Sequence, residues 1–155
     1  MLMPNDIADR LDELIREKFP GEALYRELTP TDFERPSNLI VQDPFEGEVA
    51  YGTQIVTLRP TFTLTTFVVV DAYHHSHLAE LHRRQMVLVG LLLPGYIKVG
   101  DRAPKVADLK LAGGYDYDTV TVTFFYTLNR QDFEEIEQRP NMEQLHLRTE
   151  VKTYG

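Results

Sequence analysis

The stretch from Gln54 to Asp71, Q-I-V-T-L-R-P-T-F-T-L-T-T-F-V-V-V-D, constrains the fold more than any other part of this chain. Its even positions read Val56, Leu58, Pro60, Phe62, Leu64, Thr66, Val68 and Val70. Its odd positions read Ile55, Thr57, Arg59, Thr61, Thr63, Thr65, Phe67 and Val69. Successive side chains of a strand point to opposite faces, so this is a strand with one apolar face and one threonine-rich face. Threonine and valine are stiff at χ1 and suit a pleated surface. The run is too long for an ordinary strand. Residues 54–70 at about 3.3 Å each would span roughly 56 Å, against roughly 40 Å across a compact domain of this length. The run must therefore break at Arg59-Pro60, bend strongly, or project as a hairpin arm.

The flanking chain supplies partners for it. Asn5 is placed to cap a helix over about residues 5–19, with Asp6 and Asp9 in its first turn. Ile7, Leu11, Leu14, Ile15 and Phe19 recur at helical spacing, and Pro20-Gly21 stops the pattern. Leu24, Tyr25 and Leu28 suggest a short strand. A proline-bounded loop, T-P-T-D-F-E-R-P-S, follows. Residues 38–42 read as a strand interrupted by D-P-F-E-G and resumed over 48–51, and Gly52-Thr53 turns into the long stretch. The simplest pairing is an antiparallel hairpin of 38–51 with 54–70.

Ser76 is a candidate cap for a second helix over about 77–92, with Leu78, Leu81, Val89, Leu92 and Leu93 in a wide apolar stripe and Pro94-Gly95 at its end. Its second half, apolar nearly all round, predicts the more buried helix of the two. A strand over 105–111 and the connection Ala112–Asp116 lead to Thr119–Leu128. There Val120, Val122, Phe124, Tyr126 and Leu128 alternate with Thr119, Thr121, Thr123, Phe125 and Thr127. A polar segment then precedes a final strand carrying Leu145, Leu147 and Val151. The order helix, strands, helix, strands predicts a single α+β domain over 1–155. Its mainly antiparallel sheet has about four to six strands, with two helices packed on one face and a long β-hairpin.

Composition narrows the function classes. The chain of 155 residues has no cysteine, which removes disulfides, thiolate nucleophiles and Cys-based zinc sites together. Its net charge of −8, with basic residues scattered apart from Arg83-Arg84, gives no general electrostatic reason to bind nucleic acid. The N-terminus lacks the basic-then-apolar pattern of a signal peptide, and the longest apolar run, residues 86–94, is far short of a membrane span. The expectation is a soluble protein made in the cytoplasm.

Few residue constellations point to chemistry. Four of the five histidines are His74, His75, His77 and His82. His77 and His82 are five apart, off each other's helical face, so a polar loop and first helical turn are expected rather than a metal site. Asp116 and Asp118 share a Gly-rich turn and are expected to face water, as are Glu134, Glu135 and Glu137. Gly113-Gly114 precedes a strand, not a helix N-terminus, so it is no phosphate loop. No serine has a nucleophile context. No catalytic residue, metal or cofactor is expected, and the chain does not read as an enzyme. The threonine faces read either as a solvated side of the sheet or as a surface against another subunit. Phe67, Val69 and Phe125 on that side predict cover by a helix, a loop or a neighbouring chain.

Several features together resemble the tail terminator proteins of long-tailed bacteriophages and prophages. They are the opening helix ending in F-P, then L-Y-R-E-L and F-E-R-P-S before the first long strand, and the threonine-rich strand ending V-V-V-D. A second helix, a strand pair ending F-F-Y-T-L and a late N-M-E-Q-L-H-L complete the set. The resemblance implies a minor tail or tail completion protein. Such a protein forms a homo-oligomeric ring, commonly a hexamer, that ends polymerisation of the tail tube protein and joins the tail to the head–tail connector protein. The ring would be assembled in the bacterial host cytoplasm and would sit in the virion at the head-proximal end of the tail. It would bind neither membrane nor a specific nucleic acid, and an acidic protein suits a channel through which DNA passes without sticking. The related alternative is a head–tail connector or head-completion protein. A remote alternative is a small metal-dependent enzyme using the segment His74–His82. In a ring, Phe33 and Arg35 in the loop before the first strand and Phe45 in the D-P-F-E-G break are candidate contacts. Residues 61–70 are then expected to serve the home sheet. Residues 54–59, with Ile55, Thr57 and Arg59, reach outward to a neighbouring subunit.

Overall fold

A computed structural model describes residues 1–138; the expected final strand with Leu145, Leu147 and Val151, and the N-M-E-Q-L-H-L motif, lie outside the described residues. In chain order the elements are helix α1 (Pro4–Lys18), strands β1 (Ala23–Arg26), β2 (Ser37–Ala50) and β3 (Ile55–Phe67), helix α2 (Leu78–Leu92), strands β4 (Lys105–Ala112) and β5 (Asp118–Leu128), and helix α3 (Arg130–Gln138). The strands form one sheet in the order β1-β2-β3-β5-β4, parallel only between β1 and β2. The α+β class and the mainly antiparallel sheet are as the pattern of the sequence predicts.

The alternation in β3 and β5 decides what is inside. Phe62, Leu64, Val120, Val122 and Phe124 are buried beneath Ile7, Leu11 and Ile15 of α1 and Leu88 and Leu92 of α2, in one continuous cluster. Phe62 and Phe124 meet edge to face, with ring centroids 5.9 Å apart, a geometry that their quadrupoles favour. Both helices therefore lie on the apolar side of the sheet, and the threonine side faces away from them.

The long strand does not break where its proline suggests. β3 runs without interruption through Pro60, and Val56, Thr57 and Leu58 remain paired with Leu128, Thr127 and Tyr126 of β5. The expectation that 54–59 leaves the home sheet is corrected. The irregularity is taken up next door. β2 carries a bulge between Asp43 and Glu46, where Pro44 and Phe45 add one residue against β3, and proline is tolerated at such a site because no ladder donor is needed there. The strand also starts at Ile55 and ends at Phe67, about 43 Å at ~3.3 Å per residue, so it fits the domain.

Helix ends differ in detail from the sequence reading. Met3, not Asn5, precedes α1, and its N–H donates to the Asp6 carboxylate (2.8 Å); Asn5 instead accepts from the Gln42 amide (2.9 Å). α2 is capped by His77, whose Nδ1 accepts from the Glu80 N–H (3.2 Å), rather than by Ser76. The apolar second half of α2 is not enclosed all round: Leu81, Leu88 and Leu92 are buried, while Met86 and Leu93 are exposed. The segment read as merely polar after β5 is α3. Its start is a reciprocal cap: the Asn129 N–H donates to Asp132 (2.8 Å), and the Asp132 N–H donates back to the Asn129 side chain (3.2 Å).

One buried cation ties these parts together. Arg84 of α2 is 2% exposed. It donates from Nε to Thr66 Oγ1 of β3 (2.8 Å), and through both terminal nitrogens to Glu22 (2.9 and 2.8 Å). It also reaches the Ser37 carbonyl of β2 (3.3 Å) and lies 4.2 Å over the Phe19 ring. Removing one member of such a pair strands the other. Arg84→Met is expected to lower unfolding stability by about 3 kcal/mol, and Arg84→Met with Glu22→Leu by less, as read by urea denaturation. Tyr126 supplies a second check. Its hydroxyl donates to the Leu2 carbonyl (2.9 Å), and burial pushes its pKa from 10.0 up to about 12. A raised pKa contributes stability that is complete below pH 10 and is lost as pH rises from about 10 to 12. Tyr126→Phe should flatten that part of a thermal stability–pH profile, and an unchanged slope would remove Tyr126 as its source.

Candidate assembly surfaces

Among the described residues the longest exposed run lies in the β2–β3 hairpin. From Pro44 through Ile55 every residue is exposed. Among them are Phe45 (52%), Val49 (53%) and Tyr51 (87%). The register explains how these side chains are presented. Val49 pairs with Val56 and so points to the helix side, where Val49, Tyr51, Val56 and Phe133 of α3 line an open hollow of about 430 Å³. Ala50 and Ile55 point to the threonine side. Single exposed apolar residues are ordinary, but a group lining one hollow at the end of a hairpin suits contact with another protein.

The opposite end of the sheet carries a second group. Antiparallel pairing puts the start of β2, the end of β3 and the start of β5 there, with the loops 69–77 and 113–117. The first loop is organised by Asp71, whose carboxylate accepts from the N–H groups of His75 (2.9 Å) and Tyr73 (2.8 Å); those bonds, the His75 one foremost, hold its pKa below the ordinary value. The second is a tight turn: a side chain at Gly114 would come within 2.8 Å of the Tyr117 carbonyl oxygen. Val69, Tyr73 and Tyr115 are exposed from these loops.

Between the two ends lies the threonine side. Direct cross-strand pairs are Thr57–Thr127, Thr61–Thr123, Thr63–Thr121 and Thr65–Thr119. Thr61 and Thr123 hydrogen-bond through their hydroxyls (2.9 Å), and Thr63 donates to Asp43 (2.6 Å). Part of this side is covered from within. The loop after β1 brings Phe33 onto Phe67 (centroids 4.7 Å) and sandwiches Arg35 beside both rings, at 4.8 and 5.3 Å. Arg35 also donates to the Val68 carbonyl (3.1 Å). The expected cover for Phe67 is therefore this loop, whereas Phe125 is half-buried and Val69 exposed.

The candidate contact residues thus separate. Phe33 and Arg35 are half-buried and engaged with their own chain, Phe45 sits exposed at the bulge, and Ile55, Thr57 and Arg59 all lie on the threonine side of β3. Arg59 is exposed, and its side chain makes no hydrogen bond or ion pair with the described residues.

The titratable residues are placed as follows. His82 Nδ1 meets Asp118 Oδ2 at 2.6 Å, and the other Asp118 oxygen accepts from the Gly114 N–H (2.9 Å). Asp118 is fully buried, which corrects the expectation that it faces water; the Gly-rich turn folds back over it. Asp116 is exposed, and Glu134 pairs with Arg130 (3.2 Å); the side chain of Glu137 lies outside the described residues. His77 is committed to its helix cap. Among the described residues, no three His, Asp or Glu side chains converge as metal ligands, and no helix is long and apolar enough to cross a membrane. A groove of about 740 Å³ between α1, α3 and the 98–102 loop is lined by Asp6, Asp9, Glu13 and Asp132 with Arg10 and Arg102. Its cations are largely engaged with its own acids, as in Arg10–Glu13 (2.8 Å) and Arg102–Asp132 (3.6 Å).

Neither the known protein-family models nor the curated proteins match this chain.

The separation of locally engaged from outward residues can be measured. Arg35→Ala is expected to lower folding stability by about 1–2 kcal/mol, through the lost ring contacts and hydrogen bond. Phe45→Ser and Tyr51→Ser should stay within about 0.5 kcal/mol of the parent. Thermal unfolding of the three variants checks the order.

Proposed function

We propose that this chain is a structural subunit of long-tailed bacteriophage morphogenesis, similar to tail terminators. It would form a homo-oligomeric ring, commonly a hexamer, that ends polymerisation of the tail tube protein and joins the tail to the head–tail connector. Its place is then the head-proximal end of the tail in the virion, after assembly in the host cytoplasm. The reading rests on the sequence resemblance and on one structural observation: two different exposed apolar groups stand at opposite ends of the sheet. Val49 and Tyr51 are at one end, Tyr73 and Tyr115 at the other. A subunit whose two ends differ gives a ring two unlike faces, and head-to-tail contacts between subunits close into such a ring when the rotation between them closes.

In this mechanism termination is geometric. One ring face reproduces the contact that a tube subunit offers and the other does not, so growth stops without any bond being made or broken. The net charge of −8 keeps the assembly from holding the DNA that passes it. Light scattering of the purified protein, with electron microscopy of negatively stained particles, tests the ring. A uniform closed oligomer that stops growth of tube-protein polymers supports the terminator reading. A ring that binds connector particles and leaves tube growth untouched would instead mark a connector or head-completion protein. A monomer at all concentrations, with and without tubes, would overturn both.

A further inference from the structure

The two edges of the sheet are each blocked over one half, at opposite ends. On the β2 edge, β1 pairs with Ser37–Ile40 and the Glu27 carboxylate takes the Gln42 N–H (3.1 Å). Beyond the bulge, no described residue pairs with the outer side of Glu46–Ala50. On the β4 edge, Tyr96 bridges Lys105 and the Val106 N–H donates to the Gly95 carbonyl (2.8 Å). Beyond a second irregularity at Ala107, the outer side of Asp108–Ala112 has no described strand partner, and the Leu109 N–H donates to the adjacent Asp108 carboxylate (3.0 Å).

The free halves also match face by face. On the helix side β2 presents Val49 and β4 presents Leu109 and Leu111, as their pairing with Val56, Val122 and Val120 fixes. Val49 and Leu111 are 53% and 47% exposed. On the threonine side β2 presents Glu46 and Glu48, and β4 presents Lys110 together with Asp108, whose carboxylate lies 3.8 Å from the Lys110 ammonium within the same chain. Strand directions agree as well. β2 and β4 run in opposite senses within the sheet, so a second copy placed beside the first in the same orientation brings its β2 against β4 antiparallel.

We propose that the free half of β2 in one copy of this chain pairs antiparallel with the free half of β4 in the next, with Glu48 opposite Lys110. Resting on the reading that the chain self-assembles, this names the contact. The contact is heterologous, continues the sheet from copy to copy, and staggers each subunit along the strand direction because the free halves lie at opposite ends. Val49 then packs on Leu109 and Leu111, and Lys110 meets Glu48 in a pair whose Cβ atoms are about 5 Å apart.

The chain has no cysteine, which gives a clean test on the full-length protein. Glu48→Cys with Lys110→Cys, oxidised at the concentration where the oligomer forms, is expected to give a ladder from dimer up to ring size on a non-reducing gel. Lys110→Glu should weaken association by about tenfold or more, through the like-charge pair, and adding Glu48→Lys should restore it. Both positions are exposed, so circular dichroism should report an unchanged fold. An oligomer that yields no ladder and tolerates Lys110→Glu would overturn this interface while leaving the ring reading standing. Disulfide dimers from Lys110→Cys alone, stopping at the dimer, would show β4 pairing with itself and also overturn it. A protein that stays monomeric throughout would take both readings down.

Discussion

The guanidinium of Arg84 is the interaction on which this architecture most depends. Taking a charge out of water is expensive unless its partners are fixed in advance, and here they come from separate parts of the chain. Phe19 and Glu22 follow α1, Ser37 opens β2, and Thr66 is the next-to-last residue of β3. Alanine at 84 could pack between α2 and the sheet in several registers. A fork that must meet a carboxylate, a hydroxyl and a carbonyl together admits one. The cation therefore contributes definition of the α2 position as much as energy, a role attested for some buried polar groups. Gln85 extends the same logic by donating to the Ala112 and Thr119 carbonyls (3.0 and 2.9 Å), and His82 does so through Asp118. Polar groups along α2 thus fix this end of the sheet, and Leu88 and Leu92 fill the core further on.

Legibility in the sequence followed how local the deciding physics was. The alternation in β3 and β5 has period two over many residues, and it gave both strands, their inner faces and the hairpin. Arg84 could not be recognised in the same way, because next to Arg83 it reads as a solvated pair on a helix. Only the tertiary positions of Glu22 and Thr66 distinguish the buried arginine from the exposed one, which pairs with Glu80. Asp118 was hidden for the same reason: a Gly-rich turn normally marks solvent, and here it closes over the carboxylate. α3 has too few apolar residues to set a period, yet Asn129 and Asp132, three apart, are a cap signal visible in the chain.

The candidate contacts show the same division. Phe33 and Arg35 carry the residue types of an interface anchor, but the loop holding them is short and its ends are fixed by β1 and β2, so it delivers them onto Phe67. Phe45 has no such tether and remains exposed at the bulge. A proline in a central strand, here Pro60, argues for interruption of that strand, but a sheet can meet the demand in a neighbour, and the extra residue sits in β2 beside Pro44.

That bulge does more than accommodate two prolines. Side-chain direction has a period of two, so one inserted residue exchanges the faces of everything beyond it. Ile40 and Val49 are nine apart, yet both point to the helix side because the bulge lies between them. β4 repeats the device: Val106 and Leu109 are three apart and share a face because of the irregularity at Ala107. In both edge strands the face exchange falls where the neighbouring cover ends and the free half begins. Without it, Val49, Leu109 and Leu111 would turn to the threonine side, and Glu48 and Lys110 would lie against the helix layer. The two irregularities therefore make each free half-edge apolar on the side that continues the core and charged on the other, which is the arrangement a sheet needs if it is to continue into a second copy.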